Sequence, residues 1–159
     1  MEFNAPLDLK SKIITAGVFA LFLGITVSTV FGVRNYANFT GSAILCVLIL
    51  LTYLFSTYKY VVTDTELIIK QRIREKKIPI KDIAEIQVNP ILGGTMRVFG
   101  VGGLFGYYGT YSSQSFGYIT LFTTQTKDQV YIRTKAGHNF LISPENAFML
   151  VDKIENKKG

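Results

Sequence analysis

Two uncharged apolar segments, Ile13 to Val33 and Ser42 to Tyr58, fill the first third of this 159-residue chain. The hydrocarbon core of a bilayer needs about 20 apolar residues of α-helix, so the first segment is long enough to cross it. The second segment needs its aromatic end to reach the far interface. The sequence therefore predicts a helical transmembrane hairpin within residues 1–58, which anchors a second domain formed by residues 59–159.

The first apolar segment could also be a signal peptide, because Lys10 and Lys12 precede it. Its apolar run is longer than the roughly 7–15 residues of a signal-peptide core, and no small-residue cleavage site follows it. A second apolar segment follows closely instead. We therefore expect the first segment to remain in the mature protein.

The basic residues that flank the two segments predict the orientation of the hairpin. Lys10 and Lys12 precede the first segment and Lys59 follows the second, whereas the connection between them holds the lone Arg34. Short flanks rich in Lys and Arg stay in the cytoplasm. We expect a multi-pass protein with both termini in the cytoplasm.

Small residues recur at every fourth position of the first segment, and such residues let two membrane helices approach closely. The row consists of Ala16, Ala20, Gly24, Ser28 and Gly32, of which Ala20, Gly24 and Ser28 are the central candidates for helix packing. Two interpretations stay open. The row packs against the chain's own second helix, or it joins two copies of the chain.

After Tyr58 the pattern changes to short runs of alternating apolar residues separated by turn residues, which is typical of β-strands. Seven antiparallel strands are predicted, at residues 58–62, 66–70, 76–80, 84–88, 117–123, 129–134 and 139–142. Ser143 and Pro144 then predict a helix start, as N-cap and first helical residue. Phe148, Val151 and Ile154 would form its apolar face. The second domain is therefore expected to be mainly β, a small barrel or sandwich closed by one C-terminal helix.

Four stretches in this order resemble the bacterial pleckstrin-homology (PH)-like domain families, in which such a domain often follows one or two membrane helices. They are residues 60–63 with 67–69, residues 78–83, the glycine-rich residues 100–106, and residues 140–144. The resemblance covers roughly Tyr58 to Ile154. It implies a PH-like fold, a binding role rather than an enzymatic one, and a place in a bacterial inner membrane.

The most basic stretch of the second domain lies at a predicted hairpin tip. It contains Lys70, Arg72, Arg74, Lys76 and Lys77. Near an anionic leaflet each such residue is worth about 1 kcal/mol, and the attraction fades within a Debye length of about 8 Å. Distance therefore decides between three interpretations: contact with lipid headgroups, contact with an acidic protein partner, or a solvated turn.

Those PH domains that bind phosphoinositides usually use basic residues around the loop between their first two strands. That loop, Thr63 to Glu66, is acidic in this chain. The departure argues against transferring such a site.

The segment from Asn89 to Phe116 is rich in glycine and aromatic residues. Leu104, Phe105, Tyr107 and Tyr108 lie among its glycines, and the glycines do not have the spacing of a nucleotide-binding loop. The aromatic residues could lie at a membrane interface or in a groove of a partner protein. Alternatively, the segment extends the sheet and packs its rings on the domain's own core.

Residues for catalysis or metal binding are sparse in this sequence. His138 and Cys46 are the only residues of their types, the carboxylates form no recognisable pair, and no metal-ligand pattern is present. We expect no enzymatic activity, no cofactor and no nucleic-acid partner. The prediction is a membrane-anchored binding or scaffolding module for a protein partner, with recognition of anionic lipid headgroups as the alternative.

Overall fold

The computed structural model describes residues 1–31 and 36–158 of the chain. Its elements begin with strand β1 (Glu2–Asn4), followed by the apolar helices α1 (Leu9–Phe31) and α2 (Tyr36–Leu54). The remaining elements are β2 (Thr57–Val62), β3 (Glu66–Gln71), β4 (Glu75–Pro79), a 3₁₀ turn (Ile80–Asp82), β5 (Ile83–Val88), β6 (Thr95–Gly103), β7 (Gly106–Ser113), β8 (Gly117–Thr123), β9 (Val130–Thr134), β10 (Asn139–Ile142) and helix α3 (Ala147–Glu155).

One helix among the described residues, α1, is long and apolar enough to cross a membrane, and the apolar part of α2, Phe39–Leu54, is shorter. The helix α2 ends before the apolar segment does. Its last residue is Leu54, and Tyr58 already belongs to β2. Gly32 and Arg34, which entered the helix-packing and orientation predictions, lie outside the described residues.

The strands form two sheets, with the orders β1-β2-β3-β4 and β5-β9-β10-β8-β7-β6. All seven predicted strands are present, and β1, β6 and β7 are added to them. The prediction that all strands are antiparallel is wrong at one place, because β10 pairs with β8 in parallel. The mainly-β domain with one C-terminal helix is confirmed.

The core lies between the two sheets, and α3 closes it. Alternate residues of β2 and β3, such as Tyr60, Val62 and Ile69, face Ile132 and Ile142 of the second sheet. Leu150 and Ile154 of α3 are fully buried in the same cluster. Alternation in the strands and helical spacing in α3 thus direct apolar side chains into this core. A second, smaller cluster, formed by Ile119, Leu121, Tyr131 and Leu141, lies apart from it.

Strand β1 precedes the two apolar helices in the chain but belongs to the sheet that follows them. Glu2 pairs with Val61 and Asn4 with Lys59. The side chain of Phe3 is buried in the core. The chain therefore leaves the sheet through α1 and returns to it through α2.

The C-terminal helix begins later than Ser143 and Pro144 predict. Its first residue is Ala147, and Asn146 is its N-cap, with the side-chain oxygen accepting from Met149 N at 3.0 Å. Phe148, expected on the apolar face, is exposed. The N-cap role of Ser143 is wrong because its hydroxyl is engaged elsewhere: Ser143 Oγ accepts from the backbone N–H of Thr124 at 2.8 Å.

Tyr60 connects the two sheets by hydrogen bonds in the core. Its hydroxyl donates to Phe122 O at 2.6 Å and accepts from Ser143 N at 3.1 Å. Burial raises the pKa of Tyr60 to about 12. The phenol must stay protonated to donate, so ionisation would break the hydrogen bond to Phe122 O.

The buried phenol predicts a loss of stability at alkaline pH. An unfolded tyrosine ionises near pH 10, so the unfolded state releases its proton first as the pH rises. Tyr60 contributes about 3 kcal/mol to the free energy of unfolding. This contribution is fully present below about pH 10 and is lost as the pH rises towards 12. Urea unfolding followed by circular dichroism between pH 8 and 12 measures it.

The variant Tyr60→Phe provides the comparison. It leaves Phe122 O and Ser143 N without their partner, which costs about 1–3 kcal/mol at pH 8. Its stability should then fall less steeply with pH than that of the wild type. Equal slopes for the two proteins would show that Tyr60 is not the group that titrates.

Candidate functional site

The tip of the hairpin β3–β4 lies against the end of helix α2. Ile73 N donates to Leu54 O at 3.1 Å, and Arg72 N donates to Ser56 O at 3.3 Å. The tip thereby satisfies carbonyl groups at the helix end that have no partner within the helix.

Two arginines of this tip stack on aromatic rings at the end of α2. Arg72 Cζ lies 4.2 Å from the centre of the Tyr53 ring, and Arg74 Cζ lies 5.0 Å from that of Phe55. Arg74 Nε also donates to Gln71 Oε1 at 2.6 Å. Cations at a helix C-terminus are favoured by the helix dipole, and cation–π contacts add to this.

The other basic residues of the hairpin have different surroundings. Lys70 forms an ion pair with Glu75, with 3.6 Å between Nζ and Oε1. Lys76 and Lys77 line a cleft of about 340 Å³ together with Lys135 and His138 of the β9–β10 turn. The structure therefore brings two of the five predicted residues, Arg72 and Arg74, to the helices and separates the other three from them.

The glycine-aromatic segment forms a hairpin, β6–β7, which extends the second sheet. Its strands approach closely at Gly100 and Gly109, which are paired and both have positive φ. A Cβ on Gly109 would lie 2.6 Å from Gly100 Cα. Only glycine tolerates this approach and this backbone conformation.

The turn of this hairpin lies between the two apolar helices. Phe105 has φ of 56°, which is uncommon for an aromatic residue. Its ring centre is 6.1 Å from that of Phe19 in α1 and 5.3 Å from that of Tyr53 in α2. Phe105 N also donates to Thr15 Oγ1 at 3.1 Å.

The neighbouring aromatic residues of β7 point in opposite directions. Tyr108 is buried, and its hydroxyl donates to Thr52 O of α2 at 2.6 Å. Burial raises the pKa of Tyr108. Tyr107 lies on the outer face of the sheet, where it lines a cavity of about 360 Å³ with Tyr111. Leu104, beside Phe105 in the turn, is half-buried.

An apolar groove of about 350 Å³ lies between α1 and α2, with Phe105 at one end. Its walls include Phe19 and Phe22 of α1 and Cys46, Leu50 and Tyr53 of α2. Sequence reasoning missed this groove, because the apolar residues of a predicted membrane helix do not reveal which of them face the neighbouring helix.

The row of small residues on α1 faces away from α2. Ala16, Ala20, Gly24 and Ser28 are exposed, and a Cβ added to Gly24 would meet no atom within 4 Å. The half-buried residues of α1 lie on another face, which includes Thr15, Val18, Phe22 and Ile25. Packing of the row against the chain's own second helix is therefore not observed. Association of two copies through it stays a prediction.

In the described parts of the chain, no group of three or more His, Cys, Asp and Glu residues could hold a metal ion. His138 lies beside the ring of Phe140, with 6.4 Å between ring centres. Ser143 donates and accepts only structural hydrogen bonds in the contacts described above. The arrangement offers surfaces for binding, formed by exposed cations and aromatic rings.

Residues 58–158 match the model of the bacterial PH domain family, so the chain belongs to that family. PH domains are generally non-catalytic binding modules, which supports a binding role for this chain in general terms. The comparison with curated proteins found no match, and neither did the comparison with solved structures.

The exposed position of Gly24 gives a prediction for the helix pair. Gly24→Leu should leave the thermal unfolding of the monomeric chain in detergent unchanged or slightly higher, because leucine favours helix over glycine by roughly 0.5–1 kcal/mol. Circular dichroism with size-exclusion chromatography measures both unfolding and association. A clear fall in the melting temperature of the monomer would contradict the exposed placement.

Proposed function

We propose that this chain is a membrane-anchored binding module that presents its PH-like domain to a protein partner at the cytoplasmic face of a bacterial inner membrane. Within the predicted division at residues 1–58 and 59–159, helices α1 and α2 would provide the anchor, and residues 59–159 together with β1 and the start of β2 would form the binding domain. The observation that carries the proposal is an exposed edge strand, β6, in a sheet system whose other edges are protected.

The pairing of β1 with β2 supports an anchor in which both helices cross the membrane. A single crossing by α1 would leave β1 and β2 on opposite sides, where they could not pair. Cleavage of α1 as part of a signal peptide would remove β1 and Phe3 from the core. At about 1.5 Å per residue, the whole of α2 extends nearly 30 Å, close to the thickness of the hydrocarbon core, and its apolar part, Phe39–Leu54, extends about 24 Å.

The cytoplasmic orientation rests on the basic flanks. Lys10 and Lys12 occupy the first turn of α1, and Lys59 follows α2. The helix α1 begins at the domain surface, where Asp8 Oδ1 accepts from Ser11 N at 2.7 Å and Asp8 N donates to Thr124 O at 3.1 Å. These basic residues therefore lie beside the domain. The domain is then on the same side of the membrane as these residues, which is the cytoplasmic side.

Three of the four sheet edges carry protection against pairing with another strand. Strand β1 is short and hydrogen-bonded to Glu145, and β4 carries the charged residues Glu75, Lys76 and Lys77. Strand β5 lies against α3, and Lys158 Nζ donates to Ala84 O at 3.3 Å. Short length, charge and coverage are the usual protections of sheet edges.

Strand β6 carries little of this protection over its first half. It is nine residues long, and all residues from Thr95 to Phe99 are exposed, including Met96, Val98 and Phe99 at 69%, 53% and 79%. Its one charged residue is Arg97. An exposed apolar edge of this kind accepts an extended segment, which adds main-chain hydrogen bonds and apolar side-chain contacts.

The proposed occupant is an extended apolar segment of another protein. A second copy fits less well, because antiparallel pairing of two β6 strands would bring the far end, Thr95, of one beside the Gly103 of the other. Gly103 is in contact with Ile14 of α1. The helices of the two copies would then start at opposite ends of the paired strands.

Photo-crosslinking tests this surface in living cells. A photoreactive phenylalanine analogue at Val98 should form an adduct with a distinct protein, identified by mass spectrometry, and the same analogue at Glu75 on the β4 edge provides the matched control. Met96→Lys with Phe99→Lys should abolish the Val98 adduct while leaving the fold intact, since both side chains are exposed. Equal yields from Val98 and Glu75, or an adduct formed only between copies of this chain, would contradict the proposal.

A second candidate function is recognition of anionic lipid headgroups, and the position of the β3–β4 tip favours it. Arg72 and Arg74 lie at the end of α2, where an anchored chain would meet the headgroup region. Both are exposed, and neither forms an ion pair with a carboxylate among the described residues. At that depth each contributes about 1 kcal/mol of attraction to an anionic leaflet.

A further inference from the structure

The interhelical groove and Arg72 form one continuous surface. Tyr53 lines the groove, its ring makes an edge contact with that of Phe105, and the guanidinium of Arg72 lies over the same Tyr53 ring. The apolar groove and the exposed cation therefore share Tyr53 as a common residue.

We propose that this surface binds a single anionic phospholipid, with one acyl chain in the groove and the phosphate on Arg72. The inference rests on the membrane anchor and on the second candidate function, and it names one site within them. Arg72 provides the charge complementarity: its planar guanidinium donates two parallel hydrogen bonds to phosphate oxygens while its face stays on Tyr53.

The lining of the groove matches an acyl chain better than a protein side chain or a soluble ligand. Each wall residue is apolar or weakly polar, and the groove opens between two helices that the anchor places in lipid. Phe105 lies at the end of the groove nearest the domain, so an acyl chain that enters between the helices would place its headgroup beside Tyr53 and Arg72.

The structure also separates this site from the rest of the basic hairpin. Arg74 lies over Phe55 and is held by Gln71, and neither Phe55 nor Gln71 lines the groove. Lys76 and Lys77 line the distant cleft beside His138. Arg72 alone should therefore carry the preference of this site for an anionic lipid.

Cys46 makes the occupancy of the groove measurable, because it lines the groove, is exposed and is the only cysteine of the chain. The full-length chain in dodecyl maltoside is treated with N-ethylmaleimide while dioleoyl phosphatidylglycerol is titrated. At a lipid concentration of about ten times the Kd the alkylation rate should fall about tenfold, because only the unoccupied groove reacts.

The matched control moves the thiol by one residue. In Cys46→Ser with Val47→Cys, the thiol lies at a neighbouring exposed position outside the groove lining, and the lipid should leave its alkylation rate unchanged. Equal protection of both thiols would overturn the proposal, because it would reflect general coating by lipid.

The variant Arg72→Gln separates this site from the broader headgroup function. It should raise about tenfold the concentration of phosphatidylglycerol needed to protect Cys46, which corresponds to about 1.4 kcal/mol. It should also reduce the difference in this protection between phosphatidylglycerol and dioleoyl phosphatidylcholine. Arg74→Gln should leave both unchanged. Thermal unfolding confirms that each variant is folded.

The two ideas fail in different ways. If Arg72→Gln lowers the salt-sensitive preference for phosphatidylglycerol in native mass spectrometry but Cys46 is never protected, headgroup recognition stands and the groove site is overturned. If Arg72→Gln leaves the preference for phosphatidylglycerol unchanged and Cys46 is never protected, headgroup recognition and the groove site are both overturned.

Discussion

The pairing of β1 with β2 is the constraint on which the arrangement of the molecule depends. These strands lie on either side of the two apolar helices in the chain, yet they are neighbours in one sheet. Phe3 adds a buried side chain to this pairing, and removing such a side chain costs about 3–5 kcal/mol. The start of α1 and the end of α2 are thereby held at the same face of the domain.

Two β-hairpins strengthen this connection at different points. The β3–β4 tip binds the end of α2 through backbone hydrogen bonds and stacked arginines, and the β6–β7 turn inserts Phe105 between the helices. Tyr108 adds a hydrogen bond to Thr52. A PH-like domain held in this way keeps a constant orientation relative to its helices, so its exposed edge β6 faces a defined direction while Arg72 remains at the helix end.

Local pattern was sufficient to predict most of the fold. Alternating apolar residues identified seven strands, and the order of the motifs indicated the PH family, which the match over residues 58–158 confirms. Strand β1 was missed because three residues show no period. The strands β6 and β7 were foreseen only as one of two alternatives, an extension of the sheet without bounds, because their glycines obscure the alternation. The role of Ser143 was misjudged because a helix cap and a buried hydrogen-bond partner look alike in sequence.

The candidate site was less predictable, because it depends on contacts between residues far apart in the chain. The run of basic residues was visible, but nothing local shows that Arg72 stacks on Tyr53 while Lys76 lies in another cleft. The row of small residues on α1 was equally visible, and only the structure shows that α2 packs on a different face. Periodicity defines the faces of a helix without identifying their partners.

The most direct test of the account is the side of the membrane reached by three single cysteines, at positions 2, 35 and 64, each in a Cys46→Ser background. A membrane-impermeant maleimide is applied to intact spheroplasts and to inverted vesicles. We expect labelling of the cysteine at position 35 in spheroplasts and of those at positions 2 and 64 in inverted vesicles. Labelling of positions 2 and 64 from opposite sides, or of all three from the same side, would contradict an anchor in which both helices cross together.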